Sequence, residues 1–138
     1  MAKVFLAGPI QGWERKQRYR RRLRTMLQAN GYDVVDPWQR ERIIYSFARS
    51  RKGPHKAAVH KMIAGDLKDI EACDLLIAYL PEVSPGASME LFYAKLKGKE
   101  TVVVTPRRDV SPWIVAYADV VVRGIGELEK VLSRESVG

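Results

Sequence analysis

The segment Ser-Pro-Gly-Ala-Ser-Met-Glu-Leu at residues 84–91 sets a carboxylate, Glu90, behind a glycine-bearing turn, in what reads as the first turn of a helix. Free N–H groups and the helix dipole at that place favour the ionised form. An ionised, oriented carboxylate in a cleft can attack an anomeric carbon and form a covalent glycosyl ester. Glutamate is also common at helix starts for reasons of charge alone, and position by itself does not separate the two roles. Two further segments share the requirement of following a strand, the turn at residues 8–12 and the stretch at 106–113. Together with the loop at 81–90 they are expected to line one rim.

That expectation rests on the elements that carry them. Residues 3–7 read as a buried strand ending at the turn GPIQG, and 13–29 as a helix stopped by Asn30 and Gly31. A short strand follows at 32–35, ending at Asp36 and Pro37. Residues 38–54 carry Trp, Arg, Gly and Pro without clear periodicity and read as a loop with some helix. So long a connection suits a binding loop or lid better than a passive link. Apolar spacing through Val59, Met62, Ile63, Leu67 and Ile70 predicts a helix over 56–72, and DLLIAYL at 74–80 a fully buried strand. A helix over 88–96, strands at 101–105 and 119–122 and a last helix over 125–132 complete the chain. Alternating apolar strands and helices imply an α/β fold, a single doubly wound, flavodoxin-like domain spanning 1–138 with a mostly parallel five-stranded sheet. Such sheets bind ligands beyond the carboxyl ends of their strands.

Composition narrows the class. A chain of 138 residues, 46% hydrophobic and 29% charged, is the size of one ordinary globular domain. No apolar run approaches the roughly 20 residues of a membrane span. VFLAGPI suits a buried strand better than a secretory core, so a cytoplasmic protein is expected. The lone Cys73 excludes an internal disulfide framework. His55 and His60, five apart, would not share a helix face, and neither a metal site nor another cofactor is expected. Residues 12–61 hold 14 Lys/Arg against 4 Asp/Glu, so the net charge of +8 is a regional feature. The run Arg18, Arg20, Arg21, Arg22 and Arg24 could steer an anion or a nucleic acid. It reads more simply as the solvated face of a helix whose Leu23, Met26 and Leu27 point inward.

The segments VFLAGPIQG, GDLKDIEACDLLIAYL, SPGASMELFYAKLKGK and SPWI, in this order, resemble the nucleoside 2-deoxyribosyltransferase superfamily, which includes nucleoside 5′-monophosphate N-hydrolases. The most specific parts are the Gly-x-x-x-Glu-Leu element at 86–91 and Asp66. The resemblance implies that Glu90 is the nucleophile and that Asp66 manages the proton at the leaving base. That division is chemically sensible, because protonation helps a base depart while a second carboxylate captures the oxocarbenium-like sugar. It further implies substrate contacts for Phe5, Gly8, Ile10, Ser84, Gly86, Ser88, Ser111 and Trp113. Ser84 stands where many deoxyribosyltransferases carry Asp, and Ser111 resembles a serine supplied by a neighbouring subunit. Both hydroxyls favour a 5′-phosphate, to which they can donate. Without the resemblance, Ser84 is ordinary turn chemistry and Ser111 a helix start. Asp69 reads as solvent-facing and Asp74 as a helix-to-strand boundary.

The chain departs from the pattern in places. Phe5 replaces a Tyr that touches sugar and nucleophile, so the ionisation of Glu90 needs other support and a ribonucleotide becomes compatible. Pro9 and Gln11 lack the Ser and Arg that help bind phosphate in one branch; Arg18, Arg20 or the loop at 40–52 would have to substitute. The expected activity is N-glycosidic cleavage of a nucleoside 5′-monophosphate by a homodimer or higher homo-oligomer with shared sites. The alternatives are base exchange between (deoxy)nucleosides and, from another class, a nucleotide- or nucleic-acid-binding module. Nucleic acid and membrane are not expected partners.

Overall fold

The computed structural model describes residues 2–10, 13, 15–38, 40–41 and 56–137. Its strands β1 (Lys3–Ala7), β2 (Asp33–Val35), β3 (Leu75–Tyr79), β4 (Glu100–Val104) and β5 (Val120–Val122) form one sheet in the order β2-β1-β3-β4-β5. Every pairing is parallel, so the sheet is wholly rather than mostly parallel. Parallel strands need crossovers, and these put apolar helices on both faces. Alternation along β1 shows the result. Val4 and Leu6 pack with Leu23 and Leu27 of α1 (Arg18–Ala29) and with Leu128 and Leu132 of α5 (Ile125–Val137). Phe5 and Ala7 face the other way, onto Ile70 of α2 (Lys56–Glu71) and Leu91 and Ala94 of α3 (Pro85–Leu96). Emptying one such position, Leu91→Ala for example, costs about 2–5 kcal/mol.

Helix ends follow their sequence signals, with corrections at two starts. Helix α3 stops at a Schellman turn: Gly98 takes φ +77°, its N–H donates to the Lys95 carbonyl, and the Lys99 N–H reaches Ala94. It begins earlier than residue 88, because Ser84 caps it, accepting from the Ala87 N–H at 3.4 Å, and Pro85 fits its first position. Helix α1 begins later than residue 13. Trp13 and Lys16 close tight turns onto the carbonyls of Ile10 and Trp13, and the Gln17 side chain bonds the Trp13 and Pro9 carbonyls before the helix starts at Arg18. A short helix α4 (Pro112–Tyr117) follows β4, with Ser111 as its cap. Most of the loop expected at 38–54, with His55, Gln11 and Gly12, lies outside the described residues; Arg40 and Glu41 lie within, both N–H groups donating to the Pro37 carbonyl at 3.0 Å. Among the described residues no helix is long and apolar enough to cross a membrane.

Candidate active site

The strand order reverses between β1 and β3, and beyond their carboxyl ends opens a cleft of about 1030 Å³. The turn after β1 supplies Gly8 and Ile10, α1 supplies Arg20, the segment after β2 supplies Glu41, α2 supplies Asp66, and the amino-terminal half of α3 supplies Ser84 to Glu90. Trp113 and Tyr117 of α4 close one side. Four carboxyl groups therefore line one space: Glu41, Asp66, Glu90 and the exposed Glu82.

Glu90 gets there by helix geometry. Helix α3 lays Ala87, Leu91 and Ala94 on the sheet, and Glu90, three residues after Ala87, stands at the edge of that stripe, half-buried against the cleft. It is in the second turn, not the first, so the dipole that was expected to ionise it has largely faded. Burial, with the charge of Asp66 adding to it, instead pushes its pKa up to about 8, and only Arg20 acts in the opposite sense. This corrects the expectation that the helix terminus holds Glu90 ionised. Arg20 is the support that Phe5, lacking a hydroxyl, cannot give.

Arg20 was expected on the solvated face with Arg18, Arg21 and Arg22. Those three are exposed, but Arg20 is 2% exposed. Its guanidinium donates to the carbonyls of Leu6 (3.2 Å) and Gly8 (3.0 Å) and pairs with Asp36 at 2.8 Å, while Nε bonds Gln17. It thus clamps the end of β1 and directs positive charge at Glu90. A side chain at Gly8 would collide with this arrangement, since a Cβ there would lie 2.4 Å from the Tyr19 hydroxyl. Tyr19 itself donates to the Pro9 carbonyl at 3.0 Å.

Asp66 is 5% exposed and pairs with Arg40 at 3.0 Å; Arg40 also reaches Asp69 at 2.6 Å, so Asp69 is half-buried in an ion pair rather than simply solvent-facing. Asp74 accepts from the Lys3 N–H at 2.9 Å, as suits a boundary residue. Glu41, 3% exposed, was not foreseen. Burial first, then its hydrogen bond to Asp66 and the charges of Asp66 and Glu90, raise its pKa to about 10. Neither Arg20 nor Glu41 carried a sequence signal stronger than a polar residue just inside a helix or just after a strand.

The remaining expected residues divide. Gly8, Ile10, Ser84, Gly86, Ser88 and Trp113 line the cleft with Glu90 and Asp66. Phe5 does not line it: fully buried, it packs in the core beneath α2 and α3. Ser111 does not reach the cleft either. It lines an adjoining cavity of about 250 Å³ with Ser88, Arg107 and Trp113, and its hydroxyl accepts from the Trp113 N–H at 3.2 Å. Among the described residues no group of three or more His, Cys, Asp or Glu side chains is arranged to hold a metal ion.

A sequence profile of the nucleoside 2-deoxyribosyltransferase family matches residues 4–126. No curated protein matches by sequence. Among solved structures, the fold is similar to a 2-deoxyribosyltransferase from the psychrotolerant bacterium Bacillus psychrosaccharolyticus, with a TM-score of 0.72 and 16% identity over 95% of this chain and 96% of that one. A conserved protein from Enterococcus faecalis V583 gives 0.67 at 22% identity, over 98% and 99%. The CMP N-glycosidase BcmB of Clostridium botulinum gives 0.61 at 19%, over 95% and 98%.

Proposed function

The chain belongs to the nucleoside 2-deoxyribosyltransferase family, and from that premise we propose that it cleaves the N-glycosidic bond of a nucleoside 5′-monophosphate and releases the free base. The observation that carries the reading is the meeting of half-buried Glu90 and buried Asp66 in one cleft at the strand-order reversal. Glu90, once ionised, attacks the anomeric carbon; Asp66 attends the departing base; water then opens the glycosyl ester. Ser84 supports a phosphorylated substrate, because a hydroxyl in the cleft wall donates to phosphate where a carboxylate would repel it. The fold is shared with an enzyme named for cleaving CMP.

Base exchange is the second reading. The cleft, about 1030 Å³, stands at the upper end of the roughly 300–1,000 Å³ of small-molecule sites, which leaves space for an acceptor base beside the sugar. Chromatography of free base after incubation with each common nucleoside and its 5′-monophosphate, with and without acceptor, separates the two. Release from monophosphates without acceptor is expected; exchange only with acceptor would give the site to the transferase. Glu90→Gln should lower base release by at least about a thousandfold with the fold retained, since a lost nucleophile is rarely compensated. Near-normal turnover in that variant would end the mechanism.

A further inference from the structure

Among the ionisable groups that line the cleft, Glu41 is buried and takes no part in the steps above. It is 3% exposed, its Oε1 is buried without a hydrogen-bond partner among the described residues, and its carboxyl lines the same cleft as that of Asp66, on which it acts. Among the described residues the charged groups around it are Asp66 and Asp69 from α2, Glu90 from α3, Arg20 from α1 and its near neighbour Arg40. Both guanidinium groups are committed elsewhere: Arg20 to Asp36, Gln17 and the β1 carbonyls, Arg40 to Asp66 and Asp69. An ionised Glu41 would be a buried anion with an unbonded oxygen beside two other carboxylates, the arrangement burial most disfavours. A neutral Glu41 instead offers an O–H to Asp66. Asp66, paired with Arg40 at 3.0 Å, is the acceptor that such an O–H would meet.

We propose that Glu41 is the proton store of this site, supplying through Asp66 the proton that the leaving base takes. The idea rests on the N-glycosidase reading above. As the Glu90 carboxylate forms its bond to the anomeric carbon, the C–N electron pair leaves on the base. Asp66 takes the Glu41 proton and passes it to that nitrogen. Glu41 is then ionised and the base departs neutral. Water attacking the glycosyl ester breaks the bond to Glu90, releases its carboxylate, and returns one proton through Asp66 to Glu41. Nothing but water is consumed. Glu41 touches Asp66 rather than the substrate, so it is a positioning and proton-supplying residue.

The test compares two leaving groups. One is the nucleoside 5′-monophosphate that the protein cleaves; the other is the matching 4-nitrophenyl β-(deoxy)ribofuranoside 5-phosphate, whose nitrophenolate leaves without a proton. Glu41→Gln should lower kcat for the nucleotide by about 100-fold or more, in the range of general acid catalysis. The loss on the nitrophenyl substrate should be at least about tenfold smaller, with KM little changed for either. Glu90→Gln should abolish both. The alkaline limb of the wild-type kcat profile, where Glu41 ionises, should disappear in Glu41→Gln. Equal losses on both substrates, or wild-type nucleotide turnover in Glu41→Gln, would overturn the proposal. Should that variant not fold, Glu41→Asp, which keeps the acid on a shorter arm, is put through the same comparison with the same criteria. A wild-type protein that cleaves neither substrate would overturn the N-glycosidase reading itself, and Glu41's role with it.

Discussion

At the residue scale, the cleft is a place where protons are held tightly. Glu90 and Glu41 both bind a proton more strongly in the folded chain, with pKa values of about 8 and about 10 against an ordinary 4.5. The stability this gives is fully present below the unfolded value of 4.5. It declines as pH rises, until Glu90 ionises near 8 and Glu41 near 10. The melting temperature should therefore fall between pH 5 and pH 9, and Glu90→Gln should flatten part of that fall; a midpoint that climbs over the window would contradict the burial of both groups. Ser84→Asp carries a different expectation. A carboxylate on the cleft wall should raise KM for the monophosphate by about tenfold or more and leave the unphosphorylated nucleoside little affected, which steady-state kinetics on the pair would read. Equal effects on both would remove the reason for preferring a nucleotide. Of these residues, Glu90, Asp66 and Ser84 stand out in the sequence only through the family resemblance of the segments around them, since by position alone Glu90 is an ordinary helix-start glutamate and Ser84 a turn residue. Arg20 does not stand out, because its neighbours Arg18, Arg21 and Arg22 have the same chemistry and only three-dimensional packing singles one out. Glu41 was unreadable for a related reason: the carboxyl groups it acts on, Asp66 and Glu90, lie far along the chain.

At the scale of elements, the cleft depends on how strands end and helices begin. The turn after β1 is held by Arg20 on the Leu6 and Gly8 carbonyls and by Tyr19 on Pro9. Among the described glycines, Gly8 is the one at which an added Cβ would meet an aromatic ring. Gly8→Ala must push Tyr19 aside, which should cost about 1–3 kcal/mol, as overpacking does, and loosen the Arg20 clamp on the end of β1. Denaturant unfolding should show the loss, and kcat should fall with it; an unchanged midpoint would mean that the turn tolerates the methyl. The existence and type of the main elements were open to reading, since fully apolar runs such as LLIAY give strands and the Gly31 and Gly98 stops give helix ends. Their starts were less so. The Ser-Pro pair before α3 was taken as turn chemistry, when the same pair is also a cap and a first helical residue. That shift moved Glu90 one turn inward and reversed the sign of its expected pKa change.

At the scale of the whole molecule, the doubly wound sheet followed from alternation alone, whereas its strand order depends on which edges pair. The outer surface keeps an apolar feature that a lone chain leaves in water. Met89 is 73% exposed and Trp113 73%, with Val83, Phe92 and Val115 also open around the cleft mouth. Apolar patches of this kind mark interaction sites, and Ser111 stands in the cavity next to them. A second copy covering this face would fit the expected homo-oligomer. Trp113→Glu should shift the protein towards monomer in light scattering coupled to gel filtration, with at least about tenfold weaker self-association; an unaltered mass distribution would place any interface elsewhere.

The central place of β1 also bears on how the chain is made. Its Lys3 pairs with Asp33 and its Val4 with Leu75, so the first strand acquires one partner early and the other only some 40 residues after that. On a ribosome adding about 5–20 residues per second, that interval lasts several seconds. Throughout it, one edge of a strand that is apolar from Val4 to Ala7 has no partner from its own chain. Growth from β3 onward then adds each new strand to the outer edge, so the cleft between β1 and β3 closes its floor at one moment in synthesis, when residues 75–79 emerge and before α3 has brought Glu90 to it.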